Sequence, residues 1–398
     1  MTLANGRPYL AIPGPSVMPD RVLAAMHRPS PNIYEGEMID LSASLWADLR
    51  SLAGTSGHVA AYIGNGHAAW EAANSNLFSR GDQALVLATG QFGLSWAASA
   101  RALGVEVEVM DFGKSSPVDM GRVSDRLRAD KAGKIRAVLT THVDTASSIR
   151  TDIAGLRAAM GGHPALLAVD CIASMGCDAY HMDAWGVDVT VAASQKGLMT
   201  PPGLGFVWFS ERAAALRGDL KTPYWDWTPR TAGAEFWQYW CGTVPTHHLF
   251  ALREALNMIA EEGLPNIWAR HATLARAVWA AFDVWGQENP QIGMNVADTV
   301  NRSHAVTAAR FGAPHATRLR QWVEQNAGVT LGIGLGMAPS DDPAYHGFLR
   351  VGHMGHVNAH MVLGALSVMQ AGMTALKIPH DAGGIAAACQ VVSECSAI

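Results

Sequence analysis

The chain has 398 residues, of which 49% are hydrophobic and 16% charged, with a formal net charge of -5. That length and apolar content can build a large buried core in two or so domains, and the acidic balance argues against a nucleic-acid or anionic-membrane partner. No apolar run reaches membrane-spanning length, and Met1 to Pro15 lacks a signal-peptide pattern. The five scattered cysteines (Cys171, Cys177, Cys241, Cys389, Cys395) read as free thiols, so a cytoplasmic protein is expected.

In chain order, the first informative stretch is Ala60-Ala-Tyr-Ile-Gly64-Asn65-Gly66-His67, which runs into a helical pattern from Ala68 to Asn74. Glycines before a helix start let the backbone turn tightly and present N–H groups to an anion, although a lone Gly-x-Gly is more often a plain turn. Next, the apolar run Ala84 to Ala88 leads into Gly90-Gln91-Phe92-Gly93. Phe92 is there either a core residue or an aromatic platform for a ring. Crossover helices are expected at Ala97–Leu103, Met120–Asp130 and Ile153–Met160. Strand-like runs alternate with these from about Ser56 to Phe209, which predicts an α/β fold with a mostly parallel sheet.

The run from Ala165 to Ser174 reads as a wholly buried parallel strand ending in Asp170. Ligands of open α/β sheets bind beyond the carboxyl ends of the strands, so Asp170 is a site candidate as well as a plain turn or N-cap residue. A second apolar run, Val187 to Val191, precedes Ser194-Gln195-Lys196-Gly-Leu-Met, and a third, Leu204 to Phe209, follows a Pro-Pro-Gly corner. A lysine between two buried strands is either an exposed loop residue or an amine of lowered pKa suited to a Schiff base. Asp170 and Lys196 at successive strand ends favour the second reading, because pyridoxal phosphate needs an acid at its ring nitrogen and an amine at its aldehyde.

Beyond the sheet, Tyr224, Trp225, Trp227, Trp237, Tyr239 and Trp240 crowd one loop, expected to be a dimer contact or substrate lid rather than an ordinary packed loop. Helical spacing runs from Thr246 to Trp285 with a break at Gly263-Leu264-Pro265. Three regions are expected: an N-terminal arm over 1–16, a large domain over 17–285 and a smaller α+β domain over 286–398. His353, His356 and His360 have a spacing zinc sites use, but no cysteine or carboxylate cluster accompanies them. They are read as a turn leading into a helix near Asn358, with no metal.

Taken together, Pro13-Gly14-Pro15, Gly64-Asn65-Gly66-His67, Gly90-Gln91-Phe92-Gly93, Thr141-His142-Val143-Asp144-Thr145, Val169-Asp170, Ser194-Gln195-Lys196 and Arg350-Val-Gly-His353-Met-Gly355 resemble the class V, fold type I pyridoxal-phosphate aminotransferases. The likeness spans nearly the whole chain and leans toward the serine–glyoxylate and alanine–glyoxylate enzymes. It implies a large domain with a seven-stranded, mostly parallel sheet, a smaller C-terminal domain, and a homodimer or tetramer with shared active sites. It also implies that Lys196 bonds the cofactor aldehyde and shuttles the proton, while Asp170 pairs with the ring nitrogen. Phe92 would stack on the ring and Thr145 would hydrogen-bond its hydroxyl. Gly66, His67 and Gln195 would hold the phosphate, with Thr243 from a neighbouring subunit. Arg350, with Gly14 and Tyr34 nearby, would bind the amino acid or 2-oxo acid substrate through its carboxylate.

Two departures bear on the substrate. Val143-Asp144-Thr145-Ala146-Ser147-Ser148 replaces the Asn-Glu-Thr-Ala-Thr-Gly of the glyoxylate enzymes, and Ile33-Tyr34 replaces a His-Arg pair. Both resemble a pyridoxamine–pyruvate branch, yet Gly334-Leu335-Gly336 stands where that branch has a further arginine. The alternatives are a pyridoxamine–pyruvate-type transaminase and a non-catalytic protein that binds pyridoxal phosphate. A desulfurase-like enzyme would want a mobile cysteine, and a dinucleotide fold would want a third glycine after Gly66.

Overall fold

The computed structural model describes residues 2–216 and 218–394, so Cys395 lies outside the described residues. The chain opens with strand β1 (Tyr9–Ala11) and helices α1 (Asp20–Met26) and α2 (Glu37–Ala53). The alternating region follows as β2 (His58–Gly64), α3 (Gly66–Leu77), β3 (Gln83–Ala88), α4 (Gln91–Ala102), β4 (Glu106–Asp111), α5 (Met120–Ala129), β5 (Ile135–Thr141) and α6 (Ile153–Met160). Three strands close it: β6 (Leu166–Asp170), β7 (Val189–Ala193) and β8 (Gly203–Phe209). The three expected crossover helices correspond to α4, α5 and α6, although α4 starts at Gln91 rather than at Ala97. Polar side chains start several of these helices. Asn65 accepts the first amides of α3, Asp119 caps α5 and Asp152 caps α6.

These strands form one sheet in the order β2-β8-β7-β6-β5-β3-β4. Only β8 runs against its neighbours, so the sheet is mostly parallel as expected. Alternate residues supply its two faces. Along β3, Leu85 and Leu87 join one core with α2, α5, α6 and helix α9 (Thr246–Glu262), whereas Ala84 and Val86 join another with α3 and α4. Every residue of β6 and β7 is buried, the mark of a strand covered on both sides.

After the short helices α7 (Glu211–Ala214) and α8 (Thr228–Ala232), α9 ends at Gly263 and α10 (Leu264–Trp285) begins with Pro265 in its first turn. The remaining elements are β9 (Gly293–Met294), β10 (Val306–Arg310), α11 (His315–Ala327), β11 (Val329–Ile333), β12 (Phe348–Gly352), α12 (Ala359–Ala375) and α13 (Gly384–Glu394). Asn358 caps α12 where the sequence places a helix start. Their five-stranded sheet has the order β1-β11-β12-β10-β9, so the N-terminal arm supplies its edge strand, parallel to β11. The core of this region also takes Leu274 to Trp285 from α10, while Ile267 of the same helix belongs to the larger core. One helix therefore serves both bodies.

The aromatic loop differs from a free lid. Trp227 stacks on Phe209 (4.1 Å, 11°) and Trp240 on Trp46 (5.8 Å, 30°), both buried; Trp237 stays 57% exposed. Arg230, wholly buried, donates to the carbonyls of Ala61, Tyr224 and Tyr239 and lies over the rings of Tyr62 and Tyr224. A buried guanidinium without a carboxylate needs those carbonyls and ring faces, and it fixes the loop to β2.

Candidate active site

Because β2, β3, β5, β6 and β7 run the same way, their carboxyl ends lie along one edge of the sheet. That edge gathers the Gly64-Asn65-Gly66 turn, Gly90 to Gly93, the loop from His142 to Thr145, Asp170, and the Ser194–Lys196 turn. These segments are spread from Gly64 to Lys196 in sequence and are brought together by strand direction.

Lys196 lies on the turn between β7 and β8, surrounded by protein on nearly every side while keeping some solvent contact. Burial lowers its amine to about 8; the nearby Arg350 guanidinium adds to this, and Asp170 opposes it. The N-terminal arm crosses over this side chain. Lys196 Nζ donates to the Pro13 carbonyl, Ser16 Oγ donates to the Lys196 carbonyl at 2.7 Å, and Ser16 N donates to the Gln195 carbonyl at 2.9 Å. Gly14 is essential to that crossing, since its φ is +100° and a Cβ there would stand 2.6 Å from Nζ.

Asp170, 3% exposed, ends β6. Its Oδ1 accepts the Ile172 amide at 2.7 Å and its Oδ2 accepts Trp70 Nε1–H at 2.9 Å. Burial pushes the carboxyl up to about 7, against the pull of those two donors. Arg350 comes from β12 in the other sheet. Its Nε donates to the Ile333 carbonyl at 2.7 Å and its Nη1 to the Thr145 carbonyl at 3.0 Å, which leaves Nη2 without a partner among the described residues. Burial brings this guanidinium down to about 10, with Asp144 opposing.

Asp144 and Trp70 are site residues to which the sequence assigned no role. Asp144 is fully buried, and its carboxylate accepts the amides of Phe92 (2.8 Å), Gly93 (3.1 Å), Ala146 (2.9 Å) and Ser147 (3.4 Å). It therefore caps α4, whose own N-cap is Gly90 with no side chain to offer, and a Cβ at Gly90 would collide with it at 2.5 Å. Asp144 stands in the mostly polar stretch Thr141 to Ser148, where no local signal marks it as a cap; for Trp70 the signal was an indole N–H on an apolar helix face that must find a partner.

Of the other expected site residues, Phe92 opens α4 with its ring edge-on to Trp70, and Thr145 holds Arg350 through its carbonyl. Gly66 and His67 open α3, where Asn65 already takes the His67 and Ala68 amides. The Gln195 carboxamide has a buried oxygen with no partner among the described residues. Tyr34 is 86% exposed and Thr243 is exposed, and no described side-chain contact ties either to the Lys196 cleft within one chain. His353 is structural: its ring bonds Thr307 Oγ1 at 3.0 Å and the His304 carbonyl at 2.9 Å.

A buried amine of lowered pKa, a buried carboxylate with no cation bonded to it, an unsatisfied carboxamide and a guanidinium fit pyridoxal phosphate and an amino acid. Together with the sheet they define a fold type I pyridoxal-phosphate enzyme. The family model described as aminotransferase class V matches residues 52–360. A serine–glyoxylate aminotransferase of Methylorubrum extorquens is 34% identical over 380 residues, covering 92% of this chain and 91% of its own length. An L-aspartate–glyoxylate aminotransferase of Paracoccus denitrificans is 32% identical, covering 95% and 94%. Among solved structures, pyridoxamine–pyruvate aminotransferase from Mesorhizobium loti superposes with a TM-score of 0.89 at 25% identity, covering 99% of this chain and 100% of the other. The chain belongs to the class V aminotransferases, and it is a pyridoxal-phosphate-dependent transaminase.

Proposed function

We propose that this transaminase moves the amino group of a small amino acid, serine or alanine in the first instance, to a small 2-oxo acid such as glyoxylate or pyruvate. The placement of Lys196, Asp170 and Arg350 around one cleft carries this reading. Pyridoxal phosphate, when bound, supplies an aldehyde carbon for the lysine and a ring that withdraws electrons from the substrate. With its amine near 8, Lys196 is partly neutral at physiological pH, so Nζ can take the α-proton and return it. Asp170 would hold the proton on the ring nitrogen, Thr145 would hydrogen-bond the ring hydroxyl, and Phe92 would stack on the ring. Arg350 Nη2 takes the substrate carboxylate, with Gly14 leaving room beside it.

The phosphate is assigned to Gly66, His67 and Gln195, completed by Thr243 from a second copy of the chain. The exposure of Thr243 and Tyr34 supports a homodimer, or a tetramer, in which each reaches a neighbouring subunit's cleft. In this reading 1–16 is an arm, 17–285 the cofactor domain and 286–398 the small domain that brings Arg350.

A second reading makes pyridoxamine the amino donor. The likeness to the Mesorhizobium structure and the Tyr34 and Val143-Asp144-Thr145 pattern favour it. One stopped-flow survey of amino acids and pyridoxamine, following the cofactor spectrum, separates the two; serine or alanine is expected to react fastest. Lys196→Ala should abolish both transfer and borohydride-fixable attachment of the cofactor. Retained turnover overturns the assignment, and bound cofactor with no half-reaction for any donor marks a non-catalytic binder.

A further inference from the structure

The Asp170 carboxylate is buried in the cleft, and its two hydrogen-bond partners differ in kind. The Ile172 amide on Oδ1 belongs to the turn that follows β6. The Trp70 indole on Oδ2 comes from α3, 100 residues away in sequence. Trp70 is wholly buried. Its ring lies parallel to Trp96 (6.1 Å, 11°) and meets Phe92 (6.3 Å, 63°) and His67 (4.6 Å, 61°) edge-on. Trp96 is held in turn, donating Nε1–H to Asn74 Oδ1 at 3.1 Å. The stack leaves the Trp70 N–H one direction to point, at Asp170.

An indole nitrogen donates and never accepts. It offers nothing to a carboxylic-acid hydrogen, but it stabilises the anion and opposes the burial that favours the neutral acid. The other charges facing Asp170 are Asp144, which raises its pKa, and Lys196, which lowers it. We propose that Trp70 is a positioning residue: its N–H favours the anionic form of Asp170 and turns the carboxylate's remaining lone pairs toward the ring nitrogen of the cofactor. This rests on Asp170 being the partner of that nitrogen. An ionised Asp170 can hold a proton there; a protonated one cannot.

The test reads the carboxyl directly in cofactor-free protein. Carbon-13 NMR of aspartate-labelled protein follows the Asp170 titration, with Asp170→Asn assigning the resonance. Trp70→Phe keeps an aromatic ring in the stack and removes the donor, whereas Trp96→Phe alters the stack and leaves the donor. Trp70→Phe should raise the Asp170 midpoint by about one to two pH units, the size of one charge-assisted hydrogen bond. Trp96→Phe should leave it in place. In the loaded enzyme, the acid limb of the kcat profile should move up with Trp70→Phe while the substrate KM holds. If Trp70→Phe does not fold, benzothienylalanine at position 70, with sulfur replacing N–H, must give the same rise. A midpoint unmoved by loss of the donor, or moved equally by Trp96→Phe, overturns the role. The titration needs neither cofactor nor Lys196, so its failure is distinct from failure of the transaminase reading.

Discussion

Gly14→Ala tests how the arm controls the catalytic lysine. A Cβ at position 14 would stand 2.5 Å from Lys196 Cδ and 2.6 Å from both Cε and Nζ. Comfortable carbon contacts begin at about 3.5 Å, so the outer half of the lysine must retreat by roughly 1 Å. It cannot do so freely, because Nζ is bonded to the Pro13 carbonyl and Ser16 pins the lysine's own carbonyl. The alanine must also adopt a positive φ, which costs about 1–2 kcal/mol for a residue with a Cβ. A displacement of that size at a reacting atom lowers turnover by roughly 100-fold. The expected result is a folded protein, about 1–2 kcal/mol less stable to urea, whose kcat/KM drops by roughly two orders of magnitude. Its rate of borohydride-fixable cofactor attachment should fall as well. Attachment and turnover at parent rates would show that the arm does not hold the lysine, and would refute the reasoning.

Other substitutions probe the rest of the cleft. Asp144→Ala strips four amides of their acceptor and should lower the unfolding free energy by about 2–4 kcal/mol in urea titrations. Arg350→Lys replaces a planar fork with a point charge; it should raise the amino-acid KM roughly 10- to 100-fold while cofactor affinity, read by fluorescence, stays put. In cofactor-free protein, burial holds the Asp170 carboxyl near 7 against 3.8 for the free group. The folded state then keeps a proton that the unfolded chain releases, so stability falls as pH rises from about 4 to 7, by on the order of 4 kcal/mol. Asp170→Asn should flatten that slope in urea titrations, and parallel slopes for the two proteins would contradict the shift.

Much of this protein can be read in one dimension. Alternation of apolar runs and helical spacing dictated α4, α5, α6 and the mostly parallel sheet, because burial on both faces forces continuous apolar strands such as β6. Asp170 and Lys196 were legible as a pair: each alone reads as an ordinary turn or loop residue, but charges at the ends of two successive buried strands share one edge of the sheet. Local pattern carries no information about long-range approach. Only the tertiary structure makes the arm the edge strand of the small sheet, lays Gly14 against Lys196, and turns Asp144 into the cap of α4. It alone brings Trp70 to Asp170, and it alone buries Trp227 and Trp240 in a loop whose composition suggested a dimer contact or substrate lid. Composition and periodicity fix which residues seek the interior, but the directions of strands and the stacking of rings decide which of them meet.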